Sequence, residues 1–178
     1  GHPRTQYTEI ATLRLIGVGA YAWQTRSGYW GLTLLFWNNE QQEFFSWSDA
    51  RPMENSGSFT PFTRYRGESP WQGGQSPQEL CRSVLTLTNG AKNPENRLSG
   101  SSKTHVVRRS STHIQDIQGS ERLFDDWSQL AAYAATLAPL GLRRVNPLQE
   151  IVFIQPAIWG KRTFDHIQQR FFWWLLDK

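Results

Sequence analysis

The chain has 178 residues, of which 38% are hydrophobic and 13% are aromatic, and this content excludes a disordered segment. Its formal net charge of +4 is only a weak indication of a nucleic-acid ligand. The single cysteine, Cys81, excludes an internal disulfide framework and indicates a reducing, cytoplasmic compartment. No apolar run reaches the roughly 20 residues that a membrane-spanning helix needs, so no membrane association is expected.

The length of the chain fits one β-rich domain spanning residues 1–178, because domains of about 100 to 150 residues are typical. The opening Gly1-His2-Pro3 is typical of a remnant left by tag cleavage. The chain stops at Lys178, directly after its densest aromatic stretch. We therefore expect it to be a fragment of a larger protein.

The first part of the chain, residues 11–47, has the pattern strand, turn, strand, turn, strand. Between Trp30 and Trp37, apolar side chains alternate onto both faces, which is typical of a central strand. Turn-forming residues at 26–28 and 38–41 separate the strands. Short hairpin connections favour an antiparallel meander, which is also how small barrels begin.

The middle of the chain alternates loops with short elements. Residues 48–75 are rich in Pro and Gly and indicate a long functional or mobile loop. The capping box at residues 76–79 (SPQE) predicts a short helix from Pro77 to Arg82, and a strand follows at residues 84–88. Residues 89–102 predict a loop, with disorder expected, before a basic edge strand at residues 103–109.

The clearest helix is predicted from Arg122 to Leu137, ended by Pro139 and Gly141, with one apolar stripe that packs on the sheet. Residues 150–155 predict a further strand, whereas residues 163–176 fit either a helix or a strand. These elements predict an α+β fold. We expect a twisted antiparallel sheet or a small OB-like barrel, with one long packed helix and a short capped helix.

Asp49 and Arg51 directly follow the third predicted strand and form the first candidate site. A carboxylate and a guanidinium at this position can bind a polar ligand or pair with each other. Pairing is favoured, because a bidentate contact fixes the exit of the chain from the strand.

A second candidate site combines the basic residues Lys103, Arg108 and Arg109 with the rings of Tyr65 and Trp71. Positive charge attracts a phosphate backbone, and exposed rings stack bases at about 1 to 3 kcal/mol each. The competing interpretation, which we favour, is that the basic strand is an ordinary solvated edge and the rings cover the core. A protein partner is the third interpretation, because Trp, Tyr and Arg dominate interface hot spots.

Catalytic and metal-binding chemistry has little support in the sequence. Cys81 lies in an amphipathic helical turn, where a thiol usually acts as a small hydrophobe. His105, His113 and His166 lack the spacing of metal ligands. Because no nucleophile, base and orienting group occur together, we predict no catalytic residue, no metal and no cofactor.

Several segments resemble the region outside the zinc finger of bacterial SWIM-type proteins. They are residues 46–52 (SWSDARP), 70–74 (PWQGG), 80–83 (LCRS), 89–99 and 156–160 (PAIWG). The resemblance spans most of the chain and implies association with MoxR-type AAA ATPases and von Willebrand factor A domain proteins. The finger itself requires three cysteines and one histidine, so its zinc and its contacts cannot be transferred to a chain with Cys81 alone.

These observations predict a noncatalytic protein-interaction or scaffolding module of a multidomain bacterial SWIM-type protein. The resemblance implies that the module serves an ATPase partner. The alternative is a module that binds single-stranded nucleic acid through a basic and aromatic surface. An enzyme of unknown reaction is the third interpretation.

Overall fold

The computed structural model describes residues 6–137 and 146–178, which fall into two compact units divided after Gly119. The sequence predicts one domain over residues 1–178. The expected tag remnant at residues 1–3 and the helix stop predicted at Pro139 and Gly141 lie outside the described residues.

A five-stranded antiparallel sheet forms the first unit, with the strand order β3-β2-β1-β4-β5. The predicted meander of three strands and the predicted basic edge strand are both confirmed. The turn between the first two strands contains Gly28, whose φ of 83° favours glycine. The strands are β1 (Thr8–Gln24), β2 (Tyr29–Asn38), β3 (Glu43–Pro52), β4 (Ser83–Lys92) and β5 (His105–Ser111).

Strand β1 is shared by two neighbours. Residues 8–16 pair with β4, whereas residues 16–24 pair with β2, and a bulge lies between Gly17 and Gly19 where the partner changes. A bulge bends its strand and increases the local twist, so the sheet is twisted at this point. A Cβ atom at Gly17 would lie 2.3 Å from the carbonyl oxygen of Leu80, which explains why glycine stands there.

Among the described strands, the sheet is open and does not close into a barrel. The predicted alternative of a closed OB-like barrel is therefore wrong. The reason is that the segment Asn96–Leu98, rather than β5, lies beside β3. The Ser46 amide donates to the Asn96 carbonyl at 3.0 Å, and the Leu98 amide donates to the Ser46 carbonyl at 2.7 Å. This segment was expected within a disordered loop, yet it forms part of the fold and buries Leu98.

Two short helices complete the first unit. Helix α1 (Pro61–Arg66) lies within the stretch predicted as a long loop, and helix α2 (Pro77–Leu80) is the predicted capped helix, ending two residues early. Both begin with a capping box and proline in the first turn, which favours a helix start. The core between the helices and the sheet is formed by buried apolar residues, mainly Leu13, Leu15, Leu32, Leu34, Phe36, Phe45, Trp47, Trp71, Leu80, Leu85, Leu87, Leu98 and Val106.

The second unit contains the predicted long helix, which is shorter than expected. Helix α3 (Trp127–Thr136) begins at Trp127 because the Asp126 carboxylate accepts hydrogen bonds from the amides of Ser128 and Gln129. We expected this helix on the sheet; it belongs instead to the second unit, where its Tyr133 ring lies 5.3 Å from Phe124.

Along the chain, one short strand precedes helix α3 and three strands follow it. Strand β6 (Leu123–Phe124) pairs in parallel with β7 (Phe153–Ile154), which lies within the predicted strand at residues 150–155. Strands β8 (Ile158–Asp165) and β9 (Arg170–Leu176) form an antiparallel hairpin. The ambiguous tail is therefore strand and not helix. Among the described residues, no helix has the length and apolar character needed to cross a membrane.

Candidate functional site

Asp49 and Arg51 pair with each other, as favoured from the sequence. The Asp49 carboxylate lies 3.2 Å from Nη1 of Arg51 through one oxygen and 2.8 Å from Nε of Arg64 through the other. The Arg64 guanidinium also lies over the Trp47 ring, 4.9 Å from its centroid. The sequence did not indicate Arg64, because its helix α1 was predicted as loop. The carboxylate therefore fastens α1 to β3, and both of its oxygens are engaged.

The two rings of the predicted stacking platform belong to the core. Trp71 is only 3% exposed; its indole Nε1 donates to the Ser99 carbonyl at 2.9 Å, and its ring lies 6.0 Å from that of Phe36. Tyr65 is partly buried against the same core cluster. Base stacking requires an exposed ring face, so Trp71 cannot supply one in this fold.

Two of the predicted basic residues, Arg108 and Arg109, form hydrogen bonds with hydroxyls of the sheet. Arg108 donates to the hydroxyls of Ser83 and Ser111 at 3.0 and 2.8 Å, and Arg109 donates to the Thr86 hydroxyl at 3.3 Å. The contacts with Ser83 and Thr86 tie the edge strand β5 to β4, whereas Ser111 lies on β5 itself. The favoured interpretation of a solvated basic edge is consistent with this geometry.

Lys103 lines an open cleft of about 760 Å³ at one end of the sheet. The cleft lies between the start of β1, the end of β4 and the segment from Ser99 to Thr104. Glu9 is its other charged residue. The Thr104 hydroxyl donates to the Asn89 carbonyl at 2.9 Å, so these two lining residues are hydrogen-bonded to each other. The cleft therefore offers a concave surface with no assembled catalytic group.

Cys81 is buried beside the helices of the first unit. Its Sγ lies 3.8 Å from the Tyr65 hydroxyl and 3.4 Å from the Gln78 carbonyl oxygen. Burial raises the pKa of the thiol, and burial likewise raises the pKa of the Tyr65 hydroxyl. A raised pKa reduces the thiolate that nucleophilic chemistry needs. Over the described ranges, no group of three His, Cys, Asp or Glu side chains could hold a metal ion.

Among the residues that the structure describes, exposed apolar side chains are most numerous on the β8–β9 hairpin, which was not among the predicted sites. Cross-strand partners share a face, so the register assigns each side chain to one of two faces. The side chains of both faces are between 41% and 67% exposed. We call one face the Trp174 face; its exposed apolar side chains are Ile158, Phe172, Trp174 and Leu176. We call the other the Trp173 face; its exposed apolar side chains are Trp159, Phe164, Phe171 and Trp173.

Local contacts hold this hairpin in a defined shape. At its turn, Oδ1 of Asp165 accepts hydrogen bonds from the amides of Ile167 and Gln168 at 2.8 and 3.0 Å. At its base, Trp127 of α3 donates from its indole to the Leu175 carbonyl at 3.2 Å, and from its amide to the Asp177 carboxylate at 2.8 Å. The exposed rings are therefore carried by a strand pair that is anchored at both ends.

The sequence contained a signal for this surface. The run from Phe171 to Leu176 is apolar without interruption, so any strand through it places apolar side chains on both faces. The same residues also fit a helix with a single apolar stripe, so the run by itself does not distinguish a strand from a helix. Comparison of the chain with protein-family models, with curated proteins and with solved structures finds no match.

Proposed function

We propose that this chain is a noncatalytic protein-interaction module that binds its partner through the β8–β9 hairpin. The observation that carries the proposal is the exposure of apolar side chains on both faces of that hairpin. Strands with two apolar faces are typical of the interior of a layered structure, where each face is covered. Exposed apolar patches of this kind mark interaction sites.

The size of the surface supports a macromolecular partner. Each aromatic side chain buries about 150 to 250 Å² when it is covered, and burial contributes about 25 cal/mol per Å². Six rings lie on the hairpin faces: those of Trp159, Phe164, Phe171, Phe172, Trp173 and Trp174. Covering even one face therefore stabilises a complex substantially, and Trp is the residue type most enriched at interface hot spots.

The alternative of single-stranded nucleic-acid binding by the first unit has less support. Its proposed ring Trp71 is buried, and the basic side chains Arg108 and Arg109 are engaged with hydroxyls of β4 and β5. Catalysis also lacks support, since the buried Cys81 thiol contacts Tyr65 and a backbone carbonyl. Protein binding remains the function that the described surface favours.

The resemblance to bacterial SWIM-type proteins supplies candidate partners for this proposal. A MoxR-type AAA ATPase and a von Willebrand factor A domain protein are the two classes to test, in a cytoplasmic setting that fits a chain with one cysteine. In this view the chain is a scaffolding part of a larger bacterial protein.

Interferometry with the immobilised chain tests the proposal against purified proteins of both classes. A variant with Phe172→Ser and Trp174→Ser removes two exposed rings from the hairpin. Phe62→Ser is the control and removes a ring from α1 that is about as exposed as Trp174. We expect the hairpin variant to bind about tenfold more weakly or worse, whereas the control binds like the unmodified chain. Absence of hairpin-dependent binding to either protein contradicts the proposal.

A further inference from the structure

The charges on the hairpin are strongly biased towards cations. Lys161, Arg162 and Arg170 are basic, whereas Asp165 is the single carboxylate between Ile158 and Leu176. Asp165 already accepts two backbone hydrogen bonds at the turn. Among the residues that the structure describes, no carboxylate lies within ion-pair distance of the three cations. The hairpin therefore offers apolar area together with unpaired positive charge.

The two faces of the hairpin differ in the ring–ring and cation–ring contacts that their own side chains make. On the Trp173 face, the Trp159 and Trp173 rings lie 4.8 Å apart, and the Arg162 guanidinium lies over the Trp173 ring at 5.3 Å. This contact gives the Arg162 charge an interaction partner within the hairpin and covers part of the Trp173 ring.

On the Trp174 face, Phe172 and Trp174 make no ring–ring or cation–ring contact with any described residue. A register shift between Trp159 and Arg162 places Gly160 and Lys161 opposite Trp174. Arg170 stands at the turn end of the same face, where its cross-strand partner is Asp165. This face therefore combines uncovered rings with two cations and one carboxylate, and among the described residues neither cation forms an ion pair.

We propose that the Trp174 face binds an acidic amphipathic segment of a protein partner. Leucine-like side chains of the segment cover Phe172 and Trp174, while its carboxylates pair with Lys161 and Arg170 at the rim of the contact. Such pairing steers association and selects partners by charge. This inference rests on the proposed function, since it names the chemistry of the partner at that same hairpin.

The charge of the Trp174 face also disfavours a second copy of this chain as its binding partner. Two copies that meet through this face bring together two surfaces that each carry two cations and one carboxylate, and this like net charge disfavours the contact. The net charge of +4 adds repulsion between copies at longer range. An acidic segment replaces this repulsion with attraction.

Two pairs of fluorescein-labelled peptides of equal length test the inference with the full chain. In one pair, Leu residues have strand spacing; in the other pair, they have helix spacing. Within each pair, the remaining positions are all Glu or all Lys. We expect a Glu peptide to bind by fluorescence anisotropy and its Lys counterpart to bind about tenfold more weakly. The double variant Lys161→Glu, Arg170→Glu is expected to reverse this preference.

Neighbouring residues on opposite faces provide the matched control. Phe172→Ala acts on the Trp174 face and Phe171→Ala acts on the Trp173 face, and both rings are well exposed. We expect Phe172→Ala and Trp174→Ala each to weaken Glu-peptide binding about tenfold, and Phe171→Ala to change it less than about threefold. Circular dichroism of each variant establishes that the fold is retained.

Several results overturn the inference: no peptide binds, both peptides of a pair bind equally, or Phe171→Ala is as damaging as Phe172→Ala. Tighter binding of a labelled oligothymidine through Trp174 also overturns it and favours nucleic acid as the ligand. If any of these results accompanies hairpin-dependent binding of the ATPase or the von Willebrand factor A protein, the proposed function stands and only this assignment fails.

Discussion

Gly17 shows how a single residue permits the close approach of α2 to the sheet. A Cβ atom there would lie 2.3 Å from the Leu80 carbonyl oxygen and 2.6 Å from the Cys81 carbonyl carbon, and both belong to the backbone. We expect Gly17→Ala to lower the free energy of unfolding by about 2 to 3 kcal/mol, because overpacked backbone must shift. Urea denaturation followed by tryptophan fluorescence measures this loss.

The matched control for Gly17→Ala is Ala20→Val on the same strand. Ala20 is exposed, so its enlargement is expected to change stability by less than about 0.5 kcal/mol. If Gly17→Ala lowers the free energy of unfolding as little as the control does, the close approach of α2 to the sheet is contradicted.

The Cys81 thiol provides a second prediction at this scale. Burial raises its pKa, so at a given pH the folded chain holds less thiolate than the unfolded chain. We expect alkylation by iodoacetamide at pH 8 to be about a hundredfold slower in the folded chain than in guanidinium chloride. The sign of the linkage follows: the protonated thiol favours the fold, and stability falls as pH rises through the raised pKa. Rapid native alkylation contradicts this environment.

Helix α1 depends on the ion pair that fastens it to β3. The Arg64 side chain is 18% exposed and reaches Asp49 at 2.8 Å, whereas Arg51 is 55% exposed and reaches the same carboxylate at 3.2 Å. We expect Arg64→Gln to cost about 1 to 2 kcal/mol of stability, because it leaves a partly buried carboxylate with a weaker partner. Arg51→Gln is the matched control, with an expected cost below about 0.5 kcal/mol. Thermal unfolding of both variants measures the difference, and equal losses contradict this role of Arg64.

The elements that the sequence predicted correctly are those with a strong local signal. The alternation in Trp30–Trp37 and the capping box at Ser76 both act over a few residues, and the corresponding strand and helix are confirmed. Helix α1 also has a local signal, with a Thr60 cap and Pro61 in its first turn, but the surrounding Pro and Gly residues favoured a loop. At the other helix, the Asp126 cap determined the start, whereas apolar spacing alone had extended the prediction back to Arg122.

The candidate site was less predictable, because exposure depends on contacts that are distant in sequence. Trp71 is buried through Phe36 and Ser99, and neither contact can be read from the residues around it. The Asp49 pairing was predictable from two nearby residues, but Arg64 required the unpredicted helix. The hairpin rings were visible as a run of apolar residues, yet their exposure follows from the strand pairing of β8 with β9.

The whole molecule consists of two compact units with very different interiors. The members of the main core cluster all lie between Leu13 and Val106, within the first unit. In the second unit, Phe124 and Pro156 are the buried residues among those described. Composition does not reveal this imbalance, because aromatic residues that build a core and those that remain exposed count equally in a total.

This division predicts that residues 6–119 fold as an isolated fragment. All strands of the five-stranded sheet and both short helices lie within this range, so the fragment keeps its core. We expect cooperative thermal unfolding and a near-ultraviolet circular dichroism signal from the buried rings of Trp37 and Trp47. Phe36→Ala in the fragment is the control: this buried side chain is expected to contribute about 3 to 5 kcal/mol, so its loss should abolish or sharply weaken the transition. A fragment without a cooperative transition contradicts the independence of the first core, and an unchanged transition in Phe36→Ala contradicts its packing.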